Sequence, residues 1–355
     1  MFQWAPGGKL VGMFETILDP RKPNWKLRLA CTALVLSLVM GFVWIWQMTQ
    51  MPLSSYKGPF QRPSEEESQL AVRLSAHVKY LSETVGERSL SRPGSLQAAT
   101  DYLRDALKQA GYASTERTYS VEGQTVSNIE AILPGSDDAS GSVIVGAHYD
   151  SVAGTVGADD NATGVAGILE LARLLQGSKL RRTVRFVLFV NEEPPYFRTD
   201  SMGSLVYARQ LRRDGIPVSA MISLEMLGFY SDAPDSQKYP PGLGLFYPNQ
   251  GDFIAFVGNQ ESRDLVRRSI RRLRESTNFP SEGVAAPGDW PGVGWSDHWS
   301  FWQEQYPAIM ITDTAMFRYA YYHTPLDTAN RVDFARMARV VGGVRSVVES
   351  LAMEK

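Results

Sequence analysis

Cysteine is almost absent from this 355-residue chain, and that shortage limits the chemistry the chain can support. A single cysteine, Cys31, can form neither an internal disulfide nor a cysteine-based zinc site. Histidine is also scarce, and the four residues are His77, His148, His298 and His323. Any metal site must therefore be built from histidine, aspartate and glutamate, and each histidine is informative.

An excess of charge of one sign is missing as well. The chain has 36 basic and 38 acidic residues, a formal net charge of −2, so no global basic field indicates nucleic acid as a partner. Hydrophobic residues make up 44% of the sequence, which is enough for a sizeable core. The length predicts one large domain or two small ones.

One long apolar run lies near the N-terminus. Residues 29–46 read LACTALVLSLVMGFVWIW without a charge, which is about the minimum length for a helix that crosses a bilayer. Basic residues precede the run at positions 21, 22, 26 and 28, and only Lys57 follows it closely. The positive-inside rule therefore predicts a single-pass membrane protein with a cytoplasmic N-terminus. The rest of the chain would be periplasmic or otherwise extracytoplasmic.

Three other interpretations of this apolar run compete with a membrane span. A cleaved signal peptide needs a small-residue cleavage site after the run, and residues 47–53 offer none. A lipoprotein is disfavoured because Cys31 does not follow the run. A buried soluble helix would have to be hydrophobic on all sides. The expected organisation is thus a cytoplasmic tail (1–28), a transmembrane helix (29–47), a linker (48–64) and one globular domain (65–355).

Strands alternate with helices in the remainder of the chain. Periodicity predicts helices at 65–90, 95–110, 164–175, 204–213 and 332–351, and strands at 142–150, 182–193, 219–226, 253–259 and 307–314. Because the strands are apolar almost throughout, the pattern predicts an α/β fold, a three-layer sandwich with a mixed, mostly parallel central sheet. A segment rich in Pro and Gly, 232–251, is expected to be a loop over one end of the sheet.

Acidic residues and histidines recur at the carboxyl ends of these strands. They are His148, Asp150, Asp159, Asp160, Glu192, Glu193, Glu225, Asp297, His298 and His323. Each alone has a structural explanation, since an Asp before a helix is usually an N-cap and a Glu pair after a strand is usually solvated. Together they lie where open α/β sheets bind ligands. Buried carboxylates need a compensating cation, and a mixture of His and carboxylate is typical of zinc sites.

Six segments appear in a specific order between His148 and Asp327. They read AHYDS, GADDNATG, NEE, SLEM, SDH and YHTPLDT. This series resembles the co-catalytic zinc peptidases of metallopeptidase family 28, which include leucyl-type aminopeptidases, glutamate carboxypeptidase-like enzymes and glutaminyl cyclase relatives. The resemblance covers roughly residues 65–355. It implies an exopeptidase acting on peptides, with an aminopeptidase favoured, and two Zn²⁺ ions per chain; the apolar run adds the membrane anchor.

The resemblance also implies a role for each matched residue. His148 and Glu225 would hold one zinc ion, Glu193 and His323 would hold the other, and Asp160 would bridge them. Glu192 would be the general base, and Asp150 would hydrogen-bond to His148. Outside this set, His298 is expected near the site but not among the ligands, and His77 far from it.

The sequence departs from the family pattern at three places. Glu225 stands where many aminopeptidases have Asp, and the segment after Glu193, PPYFRTDSMGS, is longer than usual and is expected to reshape the substrate pocket. Many relatives have a Tyr shortly before the SDH motif, where this chain reads PGVGW, so Tyr321 or Tyr322 is a candidate to stabilise the oxyanion.

Two alternative functions stay open, a glutaminyl cyclase-like acyltransferase and a non-catalytic domain of the same fold, although all five ligands and the base are retained. Residue preference and oligomeric state are not predicted.

Overall fold

A computed structural model describes residues 24–137 and 140–354 of the chain. The chain divides into two compact units, Met1–Gln50 and Met51–Lys355. The predicted cytoplasmic tail lies, up to residue 23, outside the described residues.

The first unit contains one long helix, α1 (Trp25–Thr49). In the described part of the chain this is the one helix that is long and apolar enough to cross a membrane, with a hydropathy of 2.2 over its most apolar window. Its apolar side chains are exposed on all sides, which distinguishes it from the core helix of a soluble protein. The helix thus meets the length and composition of a single membrane span or a signal sequence.

The second unit is built on an eight-stranded sheet. The strands are β1 (Ser114–Val121), β2 (Gln124–Leu133), β3 (Ser142–His148), β4 (Val184–Phe189), β5 (Val218–Glu225), β6 (Ile254–Gly258), β7 (Ser281–Ala285) and β8 (Ala308–Thr312). Their order in the sheet is β1-β2-β4-β3-β5-β8-β6-β7. The central strands β4, β3, β5 and β8 are parallel, whereas β2 and β6 pair antiparallel with them. The predicted mixed, mostly parallel sheet is confirmed.

Helices cover both faces of this sheet. They are α2 (Glu65–Lys79), α3 (Ser95–Gln109), α4 (Gly164–Leu175), α5 (Gly203–Arg213), α6 (Arg263–Ser276), α7 (His298–Gln303) and α8 (Phe334–Met353). Successive residues of a strand point to opposite faces. Accordingly Val143 and Val145 join the core under α2, α3, α4, α6 and α8, and Ile144 joins the smaller core under α5 and α7. This is the three-layer sandwich that the alternation of elements predicts.

Five elements of this unit escaped the periodicity analysis: β1, β2, β7, α6 and the short α7. The edge strand β1 is largely polar and half exposed, so it carries no apolar run. In α6 the apolar residues are interspersed with six arginines, which hides their helical spacing. The helix predicted at 65–90 ends at Lys79 and continues as one wider turn, Tyr80–Val85.

The segment between α1 and α2 has no regular secondary structure, but from Met51 onward it lies against the second unit. Arg274 of α6 donates from Nη1 to the backbone carbonyls of Pro52 and Leu53, at 3.0 and 2.8 Å. Phe60 packs edge-on against Phe279, with ring centroids 6.3 Å apart. These contacts make the segment part of the folded unit and not a free tether.

Candidate active site

Three parallel strands bring acidic and histidine side chains to one edge of the sheet. His148 is the last residue of β3, Glu225 is the last of β5, and Glu192 and Glu193 follow β4 closely. Because β3 lies between β4 and β5, these strand ends are adjacent. All four side chains are buried, a costly arrangement for carboxylates unless a cation or a proton compensates them.

Asp160 reaches this edge from an irregular turn, Ala158–Thr163, that precedes α4. The side chain of Asn161 holds the turn against the end of β5. Its amide nitrogen donates to the carbonyl of Leu224 at 2.9 Å, and its oxygen accepts from the N–H of Met226 at 3.1 Å. Gly157 begins the turn with a φ of +52°, and a Cβ there would lie 2.2 Å from the carbonyl oxygen of Asp160, so no larger residue fits.

Asp327 holds the same turn from the other side. Its carboxylate accepts from the backbone N–H groups of Asp159 and Asp160, at 2.9 and 3.1 Å, and from the hydroxyl of Tyr319 at 3.0 Å. Sequence analysis placed Asp327 inside a motif but gave it no role. The one sequence signal for a role of Asp327 is its position near the end of the YHTPLDT motif.

The two oxygens of Asp160 face two different histidines. Oδ1 lies 3.4 Å from Nε2 of His148, and Oδ2 lies 3.1 Å from Nε2 of His323. His148 Nε2 is also 3.4 Å from Glu225 Oε2, and His323 Nε2 is 3.3 Å from Glu193 Oε2. Two groups of three ligands, each compact enough for one metal ion, therefore share Asp160. The five residues matched to the metal-ligand pattern do converge in one small volume.

Asp150 supports the turn that carries the paired glutamates. Its carboxylate accepts from the backbone N–H groups of Glu192 and Glu193, at 3.2 and 3.0 Å. Towards His148 the nearest atom of Asp150 is its backbone carbonyl, 3.2 Å from Nδ1, with the carboxylate at 3.5 Å. Asp150 thus positions both the histidine and the glutamates. Glu192 itself lies 3.9 Å from His148 Nε2.

The electrostatics of the site favour a bound cation. Burial, reinforced by the charge of Asp160, raises the pKa of Glu193 to about 8. Burial also raises the pKa of Glu192 well above its ordinary value. For His323, burial lowers the pKa, but the close carboxylates of Asp160 and Glu193 outweigh it and raise the pKa to about 10. Without a metal ion, Glu193 and His323 therefore keep protons that offset the negative charge of the buried carboxylates, as a bound cation would.

Two buried atoms in the site have no hydrogen-bond partner: Oε1 of Glu193 and Nε2 of His323. Orphaned polar atoms of this kind are rare in native interiors and need an explanation. Carboxylate oxygens and imidazole nitrogens are the ligands that Zn²⁺ accepts in proteins. The residues present thus fit a metal pair.

A fully buried arginine lies near the acidic cluster, which is the group of buried carboxylates formed by Asp150, Asp160, Glu192, Glu193 and Glu225. Arg88 donates to the backbone carbonyls of Leu81, Gly86, Tyr149, Val156 and Gly157. Burial lowers the pKa of Arg88 to about 10, and the charges of Asp150, Asp327, Asp160 and Glu193 oppose that shift. Arg88 therefore stays charged and offsets part of the negative field without bonding to any of these carboxylates.

The remaining histidines have structural roles. His298 is buried, with Nε2 2.7 Å from the carbonyl of Val293 and its ring edge-on to Trp302, and burial lowers its pKa to about 4. It belongs to none of the possible metal groups among the described residues. His77 lies elsewhere, with Nδ1 2.6 Å from the hydroxyl of Tyr102.

The two candidate tyrosines occupy different positions. The ring of Tyr322 stacks on His323 with centroids 3.7 Å apart, and burial, followed by the charge of Asp160, raises its pKa. Tyr321 instead lies under the guanidinium of Arg331, 3.5 Å from the ring centroid. Tyr322 is therefore the one at the site.

Two clefts open on the acidic cluster from different sides. An apolar pocket of about 100 Å³ reaches Glu225 and Tyr322, and its walls include Phe253, Phe256, Trp295 and Met310. A polar cleft of about 330 Å³ reaches Asp150 and Glu193, and its walls include Ser89, Glu122, Pro195 and Tyr196. The long segment after Glu193 thus forms part of the second cleft.

Comparison with known proteins agrees with this geometry. The uncharacterized protein YfbL of Escherichia coli (strain K12) is 42% identical over 291 residues, which are 79% of this chain and 88% of that protein. The structure of BSAP, a zinc aminopeptidase from Bacillus subtilis, matches 80% of this chain and 95% of that chain with a TM-score of 0.63 and 14% identity. Porphyromonas gingivalis glutaminyl cyclase matches 79% and 98%, with a TM-score of 0.58 and 21% identity.

At such identities the two solved structures establish a shared fold and nothing finer. The match to Peptidase family M28 is more direct, because it extends over residues 128–348 and includes every residue of the acidic cluster. The chain belongs to Peptidase family M28.

Proposed function

We propose that this protein is a membrane-anchored aminopeptidase that removes N-terminal residues from peptides and uses two zinc ions per chain. The observation that carries the proposal is the position of Asp160, whose two carboxylate oxygens face His148 and His323 separately. A carboxylate shared between two ligand groups is the arrangement that a pair of metal ions about 3.5–4 Å apart requires.

The ligand assignment follows from these groups. His148 and Glu225 would hold one ion, Glu193 and His323 the other, and Asp160 both. Glutamate at position 225 suits this role, because Ser296 donates to its Oε2 at 2.6 Å and fixes the longer side chain. A zinc pair at this position would supply Lewis-acid activation of a water molecule and of the scissile carbonyl.

Glu192 is the proposed general base. It would take a proton from the attacking water and return it to the leaving amine, and burial raises its pKa, which makes the carboxylate a stronger base than a free glutamate. Its backbone N–H donates to Asp150, so the glutamate is held beside the ligands without needing to bind metal itself. The hydroxyl of Tyr322, stacked on His323, is the proposed donor to the negative charge that develops on the carbonyl oxygen.

The apolar pocket is the proposed site for the substrate side chain. It adjoins Glu225 and Tyr322 and is lined mainly by aromatic and aliphatic groups such as Phe256, Trp295 and Met310. A site of this kind favours large apolar residues over charged ones, since a charge would be desolvated without a partner.

A substrate comparison with the full chain in detergent tests the proposal. We expect hydrolysis of fluorogenic amides of Leu or Phe with a free α-amine, loss of activity with a chelator, and recovery with zinc. N-acetylated versions of the same amides should not be cleaved. Cyclisation of N-terminal glutamine without amide hydrolysis would instead identify a cyclase. Absence of both reactions in a zinc-loaded chain would favour the non-catalytic interpretation.

The proposed topology has a separate test. The basic residues that precede the apolar helix support a cytoplasmic N-terminus and an extracytoplasmic catalytic unit. A reporter enzyme that is active only outside the cytoplasm, fused to the C-terminus, should be active. Activity of a cytoplasm-only reporter in the same position would reverse the orientation.

A further inference from the structure

The outer face of α6 carries an unusual concentration of positive charge. Over its 14 residues the helix has six arginines and two acidic residues, a net charge of 6 − 2 = +4, in a chain whose net charge is −2. Its apolar residues Leu265, Val266, Ile270 and Leu273 are buried in the core. Arg268 and Arg271 are exposed on the opposite side of the helix, and Arg263, Arg267 and Arg272 are partly exposed, whereas the side chain of Arg274 is only 5% exposed.

Ion pairs with acidic residues leave several arginine side chains on this surface exposed to solvent. The side chains of Arg268 and Arg272 remain 46% and 42% exposed although each faces a glutamate. Arg271 is exposed and has no carboxylate partner among the described residues. Arg267, Arg268 and Arg271 line a cleft of about 430 Å³ together with Pro52 and one acidic residue, Asp264. This group of arginines is called the α6 arginine face.

The segment that follows the apolar helix is bound to α6. Arg274 of α6 binds the carbonyls of Pro52 and Leu53, and α1 ends at Thr49. Three residues reach at most about 11 Å when fully extended. If α1 spans a bilayer, Pro52 therefore lies no more than about 11 Å along the chain from the end of the span.

We propose that the α6 arginine face docks on the anionic phospholipid headgroups of the membrane that α1 spans. Guanidinium groups bind phosphate oxygens in a bidentate manner, and basic residues beside a span are attracted to an anionic membrane surface. Docking would fix the orientation of the catalytic unit on the membrane. The proposal rests on α1 being a membrane span and is independent of the peptidase activity.

Headgroup proximity can be measured on the full chain. The single Cys31 is changed to Ser, and Ser276→Cys at the exposed end of α6 provides a site for a fluorophore. The protein is placed in nanodiscs of phosphatidylcholine alone or with about one third phosphatidylglycerol, all with a quencher on the lipid headgroup. We expect stronger quenching in the anionic discs, and a return to the neutral level at about 0.5 M salt, where charges are screened.

Matched variants identify the surface that is responsible. R268Q/R271Q removes two charges from α6, and R209Q/R213Q removes two from α5, on the opposite face of the sheet. The α6 variant also removes the ion pair of Arg268 with Glu354, and the α5 variant removes those of Arg209 with Asp200 and Glu304. We expect the docking equilibrium to fall about five-fold for each α6 arginine, about 25-fold for the pair, and to stay unchanged for the α5 pair.

Two results would overturn the proposal. One is equal quenching of the fluorophore in neutral and anionic discs when all the arginines are present. This result does not depend on the folding of any arginine variant. The other is an equal loss of quenching in both double variants, because that would show a general effect of net charge and not a docking surface.

Discussion

Glu192 and Glu193 are adjacent in sequence, yet their side chains have different surroundings. Glu193 lies 3.3 Å from His323 and has an orphaned oxygen, whereas Glu192 is nearest to His148, at 3.9 Å. A backbone φ of +61° at Asn191 and the hydrogen bonds to Asp150 set the turn that separates the two side chains. This difference supports the proposal that Glu193 binds metal and that Glu192 exchanges a proton, although Glu192 also forms a compact group with His148 and Glu193.

A pair of amide substitutions distinguishes these roles. Glu192→Gln keeps the shape and removes the proton acceptor, so we expect turnover to fall by roughly 10²–10⁴-fold while zinc content stays near two per chain. Glu193→Gln should instead lower zinc content, and added zinc should partly restore turnover. Activity assays paired with metal analysis give both quantities. Near-normal turnover of the Glu192 variant would remove this residue from the mechanism.

At the scale of elements, the turn that presents Asp160 depends on a carboxylate far away in sequence. Asp327 accepts from two consecutive N–H groups of the turn, and those bonds join residues 168 and 167 positions apart. An oxygen of Asp160 can face each histidine only while this turn keeps its shape.

Substitution of Asp327 should therefore affect metal binding without touching a ligand. In Asp327→Asn one of the two acceptors becomes an N–H₂ donor that faces a backbone N–H, so the turn loses one bond and gains a repulsion. We expect zinc affinity to fall roughly 10–100-fold, the range typical of groups that orient ligands. Tyr319→Phe is the control, because it removes only the hydroxyl donor to Asp327. Unchanged zinc affinity in the Asn variant would show that the turn holds its shape alone.

The sequence predicts this site better than it predicts the contacts that maintain it. The apolar strands β3, β4 and β5 and the acids at their ends are local patterns, and the structure assembles them as expected. Asn161 and Asp327 act through backbone groups of distant segments, which no local periodicity records. The strand β1 is missed for a different reason, because an edge strand exposed to water needs no apolar run.

At the scale of the whole molecule, the metal-free protein should lose stability as the pH rises. Folding raises the pKa of Glu193 from 4.5 to about 8 and that of His323 from 6.5 to about 10. Each group's stabilising contribution is complete below its unfolded pKa and is lost as the pH rises through its folded pKa. Zinc bound at the proposed site would replace these protons, so its stabilising effect should grow with pH.

Thermal unfolding with chelator and with zinc, at several pH values between 6 and 9, measures this difference. We expect Tm of the metal-free protein to fall across the range and the zinc-induced rise in Tm to increase. In Glu193→Gln the fall should be smaller, because one of the two groups no longer titrates. A metal-free Tm that rises with pH would contradict the assignment of these groups to a cation site.

The packed segment between the two units predicts where the chain can be shortened. A chain that begins at Met51 keeps the bonds of Arg274 to Pro52 and Leu53 and the contact of Phe60 with Phe279. We expect it to be soluble and as active as the full chain. A chain that begins at Ser64 loses these contacts and should unfold at a temperature lower by a few degrees. Equal Tm values for the two chains would show that the segment adds no stability.

The bond from Asp327 to the Asp160 turn also bears on biosynthesis. A nascent chain leaves the ribosome in sequence order, and His148, Asp160, Glu193 and Glu225 all emerge long before His323 and Asp327. Until that later segment is made, the turn has no partner for its N–H groups and one ligand group is incomplete. Translation order alone would then keep the site incomplete during synthesis, a form of latency that lasts until the last segment has emerged.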